Sequence, residues 1–87
     1  MKIKNGYILR EVAGNHVVLP IGEATIDFNG MASLNSTGAF LFEKMMQDTT
    51  EEELVKAMVE YYEIDEQTAV RDVRSFIEKI KGAGIVE

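Results

Sequence analysis

Apolar residues change their spacing near residue 35, and this constrains the fold more than any other feature of the 87-residue chain. Before that point, short runs rich in β-branched and aromatic residues are broken by Gly, Asn and the one proline. After it, apolar residues return every three or four positions, the period of a helix with one buried face. Tyr7–Val12 and His16–Pro20 read as strands, and Ala13-Gly14-Asn15 between them suits a three-residue hairpin loop because Gly and Asn tolerate positive φ. Ile21 to Thr25 makes a longer connection. Ile26-Asp27-Phe28 then alternates, Asn29-Gly30 marks a turn or bulge, and Met31-Ala32-Ser33-Leu34 reads as a short third strand. In a simple meander this strand lies at an edge, with a row of unpaired backbone donors and acceptors.

Helical signals begin at Asn35, which can cap a segment whose apolar face is Phe40, Leu41, Phe42, Met45 and Met46. Gly38 in its first turn costs about 1 kcal/mol relative to alanine, and its expected use is close packing against a neighbouring strand. Asp48-Thr49-Thr50 interrupts the pattern, and Thr50 with Glu53 fits a capping box for a second helix. Asp65 is the expected cap of a third helix reaching about Lys81, after which Gly82 and Gly84 can end it and Ile85-Val86 can fold back onto the core. With no repeat and no linker, residues 1–87 are expected to form a single α+β domain of three antiparallel strands followed by three helices.

Composition excludes several kinds of chemistry. The chain has no cysteine, hence no disulfide framework, thiolate metal site or cysteine nucleophile, and its one histidine cannot build a multi-histidine metal site. His16 lies in an apolar strand run and is expected to be a partly buried or edge-strand residue. Asp27-Phe28-Asn29-Gly30 resembles the tail of a calcium loop, but Ser36 stands where a bidentate Glu is required. Gly82-Ala83-Gly84 follows a helix and so cannot cradle a phosphate at a helix start. No catalytic residues or metal site are expected. No apolar run approaches the roughly 18 residues of a membrane span, no signal peptide is readable, and the expected compartment is the cytoplasm.

Charge is unevenly placed. The net charge of −6 opposes nonspecific attraction to nucleic acid or anionic membrane. From Glu43 to Glu66 there are nine acids against Lys44 and Lys56, whereas the third helix carries Arg71, Arg74, Lys79 and Lys81 against Asp72 and Glu78. Ala69, Val73, Phe76 and Ile80 form its core-facing seam. Beside them Val70, Arg74, Ile77 and Lys81 form a stripe that is half apolar and half basic. This stripe reads either as a wide core face with flanking cations reaching solvent, or as the wall of a groove for an amphipathic or acidic peptide. Next to an edge strand, such a wall would suit the addition of a peptide as an extra strand.

The chain also resembles the PqqD family. The likeness is carried by Tyr7-Ile8-Leu9-Arg10-Glu11-Val12-Ala13-Gly14, Val17-Val18-Leu19-Pro20-Ile21-Gly22-Glu23, Asn29-Gly30-Met31 and Leu34-Asn35-Ser36-Thr37-Gly38-Ala39. It continues through Thr49 to Leu54, Tyr61 to Asp65 and the closing Gly84-Ile85-Val86-Glu87. Leu34-Asn35-x-Thr37-Gly38 is its most specific piece. The resemblance implies a RiPP recognition element, akin to a winged helix-turn-helix, which binds the leader of a ribosomally made precursor peptide as an added strand. It further implies a non-catalytic domain without a cofactor that presents the leader to a modifying enzyme, often a radical S-adenosylmethionine protein. Carried onto this chain, the groove is expected between the backbone of Gly30, Met31, Ala32, Ser33 and Leu34 and the stripe Val70, Arg74, Ile77 and Lys81. Which peptide product such a protein would serve, pyrroloquinoline quinone or another, is open at this point. The expected state is a monomer, although an unpaired edge strand can also recruit a second copy. A winged-helix DNA-binding regulator is the alternative reading, opposed by the net charge and the acidic second helix.

Overall fold

Ala13 and Gly14 both adopt positive φ, 52° and 82°, and together close the first hairpin. The loop therefore has two residues where the sequence suggested three: Asn15 is paired with Val12 as the first position of the second strand. Two consecutive left-handed residues match the twist of the flanking strands, which is why so short a connection works. The computed structural model describes residues 1–22 and 32–87. Within them the order is β1 (Tyr7–Val12), β2 (Asn15–Pro20), β3 (Ala32–Leu34), α1 (Ser36–Lys44), α2 (Glu51–Tyr62) and α3 (Glu66–Gly82). This is an α+β fold, a three-stranded antiparallel sheet followed by three helices. The expected strand-like segment Ile26-Asp27-Phe28 and turn Asn29-Gly30 lie outside the described residues.

The sheet order is β1-β2-β3. Leu9 stands opposite Val18 and Val18 opposite Ala32, while His16 pairs with Glu11 on one side and Leu34 on the other. His16 is thus a half-buried residue of the central strand. Because side chains alternate between faces, Tyr7, Leu9, Val18 and Leu34 share the face that packs on the helices.

Each helix is started by the side chain that the sequence suggested. Asn35 Oδ1 accepts from the Gly38 N–H at 2.7 Å, Thr50 Oγ1 from the Glu53 N–H at 3.1 Å, and an Asp65 oxygen from the Thr68 N–H at 3.1 Å. The Glu53 carboxylate accepts from the Thr49 hydroxyl at 3.1 Å, one residue before the expected partner of a reciprocal box. Glu63 ends α2 in the left-handed region, and Gly84, at φ 76°, turns the chain beyond α3. Ile85 then enters the core, and Val86 bridges to Ile3 in an antiparallel pair.

Leu41 and Phe42 from α1, Met45 at its C-terminal cap, Leu54 and Met58 from α2, and Ala69, Val73 and Ile80 from α3 meet Val18 in one apolar cluster, all 2% exposed or less. Fully burying one such large side chain contributes about 1.5–3 kcal/mol. This cluster fixes α3 behind the sheet, with one flank turned toward β3 and the other toward α2. Among the described residues, no helix is long and apolar enough to cross a membrane.

Candidate functional site

The strand order leaves β3 at one edge of the sheet, with no strand beyond it among the described residues. The flank of α3 that looks toward this edge carries Asp72, Ser75, Phe76 and Lys79. Together with Leu34, Asn35, Thr37, Gly38 and Leu41 they line a cleft of about 280 Å³. Its floor is apolar, from Leu34, Leu41 and Phe76, and its α3 rim is polar, from Asp72, Ser75 and Lys79. Across the mouth, Lys79 Nζ donates to the Ser33 carbonyl oxygen at 3.2 Å. The side chain of Ser33 is on the same face as Val17, opposite to the face of Leu34.

Gly38 makes the closeness of these elements possible. A Cβ at this position would stand 3.2 Å from Asn35 Oδ1, 3.4 Å from Leu34 Cβ and 3.5 Å from Phe76 Cε1. The glycine therefore joins the end of β3 to α3 at near van der Waals distance. Its N–H also takes the Asn35 cap, so one residue both starts α1 and shapes the cleft. The strand packing expected of Gly38 is met by Leu34, and the contact extends to the helix behind.

Of the expected groove residues, Ser33 and Leu34 adjoin the cleft, Ala32 continues their strand, and Gly30 and Met31 lie outside the described residues. The stripe on α3 takes a different place from the one expected. At about 100° per residue, Asp72, Ser75, Phe76 and Lys79 centre on one flank of the helix, and Val70, Arg74, Ile77 and Lys81 centre roughly opposite. Arg74 Nε donates to Glu51 Oε1 of α2 at 3.0 Å. Val70 and Arg74, with Val55 and Val59, line a second groove of about 600 Å³ between α2 and α3. Ile77 is only 8% exposed and belongs to the core, and Lys81 is exposed. The physical reason is charge and burial together. The first turn of α2 offers Arg74 a carboxylate, while Val70 and Ile77 pack against the core.

Reasoning from sequence passed over Asp72, Ser75 and Lys79 as cleft residues and took Phe76 for core alone. Phe76 is both, being 7% exposed within the core cluster and a lining residue of the cleft. The available signal was the Leu34-Asn35-x-Thr37-Gly38 junction, because a glycine that admits both a strand and a helix locates the gap between them.

A family model described as "Coenzyme PQQ synthesis protein D (PqqD)" matches residues 15–86. A comparison with curated proteins finds no match. Among solved structures, TbiB1 in complex with the TbiA(beta) leader peptide is similar, with 22% identity, a TM-score of 0.76, and coverage of 100% of this chain and 95% of the other. A lasso peptide synthetase B1 complexed with the leader peptide is also similar, with 15% identity, a TM-score of 0.72, and coverage of 97% and 93%. At these identities the likeness to the two structures is one of fold. With the family model spanning most of its length, the chain belongs to the PqqD family, whose members are non-catalytic peptide-binding domains.

Proposed function

We propose that this protein binds the leader of a ribosomally synthesised precursor peptide as an additional strand on β3 and presents it to a modifying enzyme. The observation that carries this reading is the cleft itself. It runs beside a terminal strand, its far wall is a helix, and its floor is apolar. An extended peptide there would obtain general affinity from main-chain hydrogen bonds to Ser33, whose N–H and C=O face the open edge while those of Ala32 and Leu34 face β2, and selectivity from side chains entering between Leu34, Leu41 and Phe76. The two structural neighbours support it, since each is described as a complex with a leader peptide. The enzyme partner we infer is a radical S-adenosylmethionine maturase or another peptide-modifying enzyme, a reading taken from family resemblance. We further infer a monomeric protein of the cytoplasm.

Titration of the ¹⁵N-labelled protein with synthetic leaders of candidate precursor peptides, sought among short neighbouring reading frames, tests the reading. Amide shifts should concentrate at Ser33, Leu34, Gly38, Ser75, Phe76 and Lys79. Shifts confined to α2, or no binding at leader concentrations of tens of micromolar, would refute it.

A further inference from the structure

The open edge of β3 already holds a guest. An unpaired strand edge accepts any strand that meets it, and charged side chains, lysine above all, are a common guard. Here the ammonium of Lys79 donates to the Ser33 carbonyl from the α3 side. The lysine is exposed, and among the described residues no carboxylate lies within ion-pairing distance of it. Asp72 lines the same cleft without forming an ion pair with Lys79. Among the described residues, the cation is therefore held by a neutral acceptor alone.

A strand adding to β3 needs the main-chain acceptors of that edge for its own N–H groups. The Ser33 carbonyl then passes from the lysine to the incoming backbone, and the peptide covers the displaced ammonium. A covered cation requires an acceptor, and hydrogen bonds to a charged partner are stronger than those to a neutral one. The cation sits at one end of the cleft wall. Asp72 lies two helical turns earlier on the same flank, roughly 10 Å along the axis, where it repels a second acid. The wall thus favours a single acid at the Lys79 end over an acidic run.

We propose that Lys79 is a latch on the open edge of β3 which a leader strand displaces, and that the freed ammonium then selects a strand carrying one Asp or Glu side chain where it passes Ser33. The selection rests on the leader-binding reading; the latch does not. The test uses the synthetic leader that binds in the titration above, with each Asp and Glu replaced in turn by Asn or Gln. Isothermal titration compares the wild type, Lys79→Met, which keeps an apolar stem, and Lys79→Arg.

One replacement should weaken wild-type binding about tenfold, the size of a charge-assisted contact. Lys79→Met should bind the acidic and amide forms equally, and Lys79→Arg should retain the preference. The selection is overturned if Lys79→Met keeps the preference, if no replacement matters to the wild type, or if a leader without Asp or Glu binds as tightly. Without peptide, the Ser33 carbonyl ¹³C signal should move upfield in Lys79→Met and stay in place in Lys79→Arg. An unmoved signal in Lys79→Met overturns the latch. A wild type that binds no leader, or binds without shifting β3 amides, overturns the leader reading and the selection together, while the carbon signal still decides the latch.

Discussion

Arg74 and Ser75 are neighbours in sequence on different flanks of α3, and a pair of substitutions there separates the two possible binding faces. Arg74→Glu removes the ion pair with Glu51, whose partners are 66% and 41% exposed. Pairs this open to solvent contribute about 0.2–1 kcal/mol, and opposing two glutamates adds a repulsion of similar size. The expected destabilisation is about 1 kcal/mol, or about 4–8 °C in Tm for a domain of this size. Leader affinity should stay within about twofold, because the side chain faces α2 rather than β3. Ser75→Trp should do the reverse. Ser75 is exposed, so stability should change by less than about 0.5 kcal/mol. The indole, with about 150–250 Å² of surface to bury, projects into a cleft of about 280 Å³. Leader affinity should fall at least tenfold, a cost of about 1.4 kcal/mol. Thermal melts and fluorescence anisotropy with a labelled leader measure both quantities on the same samples. A tenfold loss in Arg74→Glu with full affinity in Ser75→Trp would move the site to the α2 flank and refute the cleft.

Three further outcomes follow from local geometry. Thr50→Ala leaves the Glu53 N–H without its cap and should cost about 1 kcal/mol, read as a lower urea midpoint at unchanged m-value. Ala13→Asn should raise stability by about 0.5–1 kcal/mol, since asparagine tolerates the left-handed conformation that alanine holds at φ 52°; an unchanged or lower melting temperature would contradict this. Hydrogen bonds from the Thr68 hydroxyl and then its backbone N–H hold the Asp65 carboxyl below its ordinary value. As pH falls the unfolded chain takes up this proton first, so the contribution of Asp65 is complete above the unfolded pKa and is lost below it, from about pH 4 downward. Urea unfolding between about pH 5 and 2.5 should show a shallower acid decline in Asp65→Asn than in the wild type.

Elements whose cause is local were legible before any coordinates. Asn35, Thr50 and Asp65 announce three helix starts because a short polar side chain before an apolar period has few better uses. The β-rich runs Tyr7–Val12 and His16–Pro20, separated by residues tolerant of positive φ, announce the hairpin. The error of one residue at its turn came from counting Asn15 as loop. Asparagine suits a turn, yet it pairs equally well as the first rung of a ladder when an alanine accepts the strained position. Likewise Glu53 was rightly placed to reach back over the helix start, but periodicity could not say that the Thr49 hydroxyl would meet it first.

The cleft wall was harder to read because its cause is not local. The buried seam Ala69, Val73, Phe76 and Ile80 has two flanks, and a helical projection treats them as equals. Which flank meets β3 depends on how the chain passes from sheet to helices, a property of three-dimensional handedness with no counterpart in the spacing of residues. Preference for the flank with more apolar content led to Val70 and Ile77. That content has its own cause, since a helix packed between a sheet and another helix must bury residues on the side of its helical neighbour too. The flank left polar is the one where no element of the described fold covers it, and that is the condition for a peptide to do so. Polarity beside a buried seam, next to a strand with no outer partner among the described residues, therefore marks such a cleft better than added hydrophobicity does. Lys79 satisfies that sign through the Ser33 carbonyl, and Lys81, two residues on, does not.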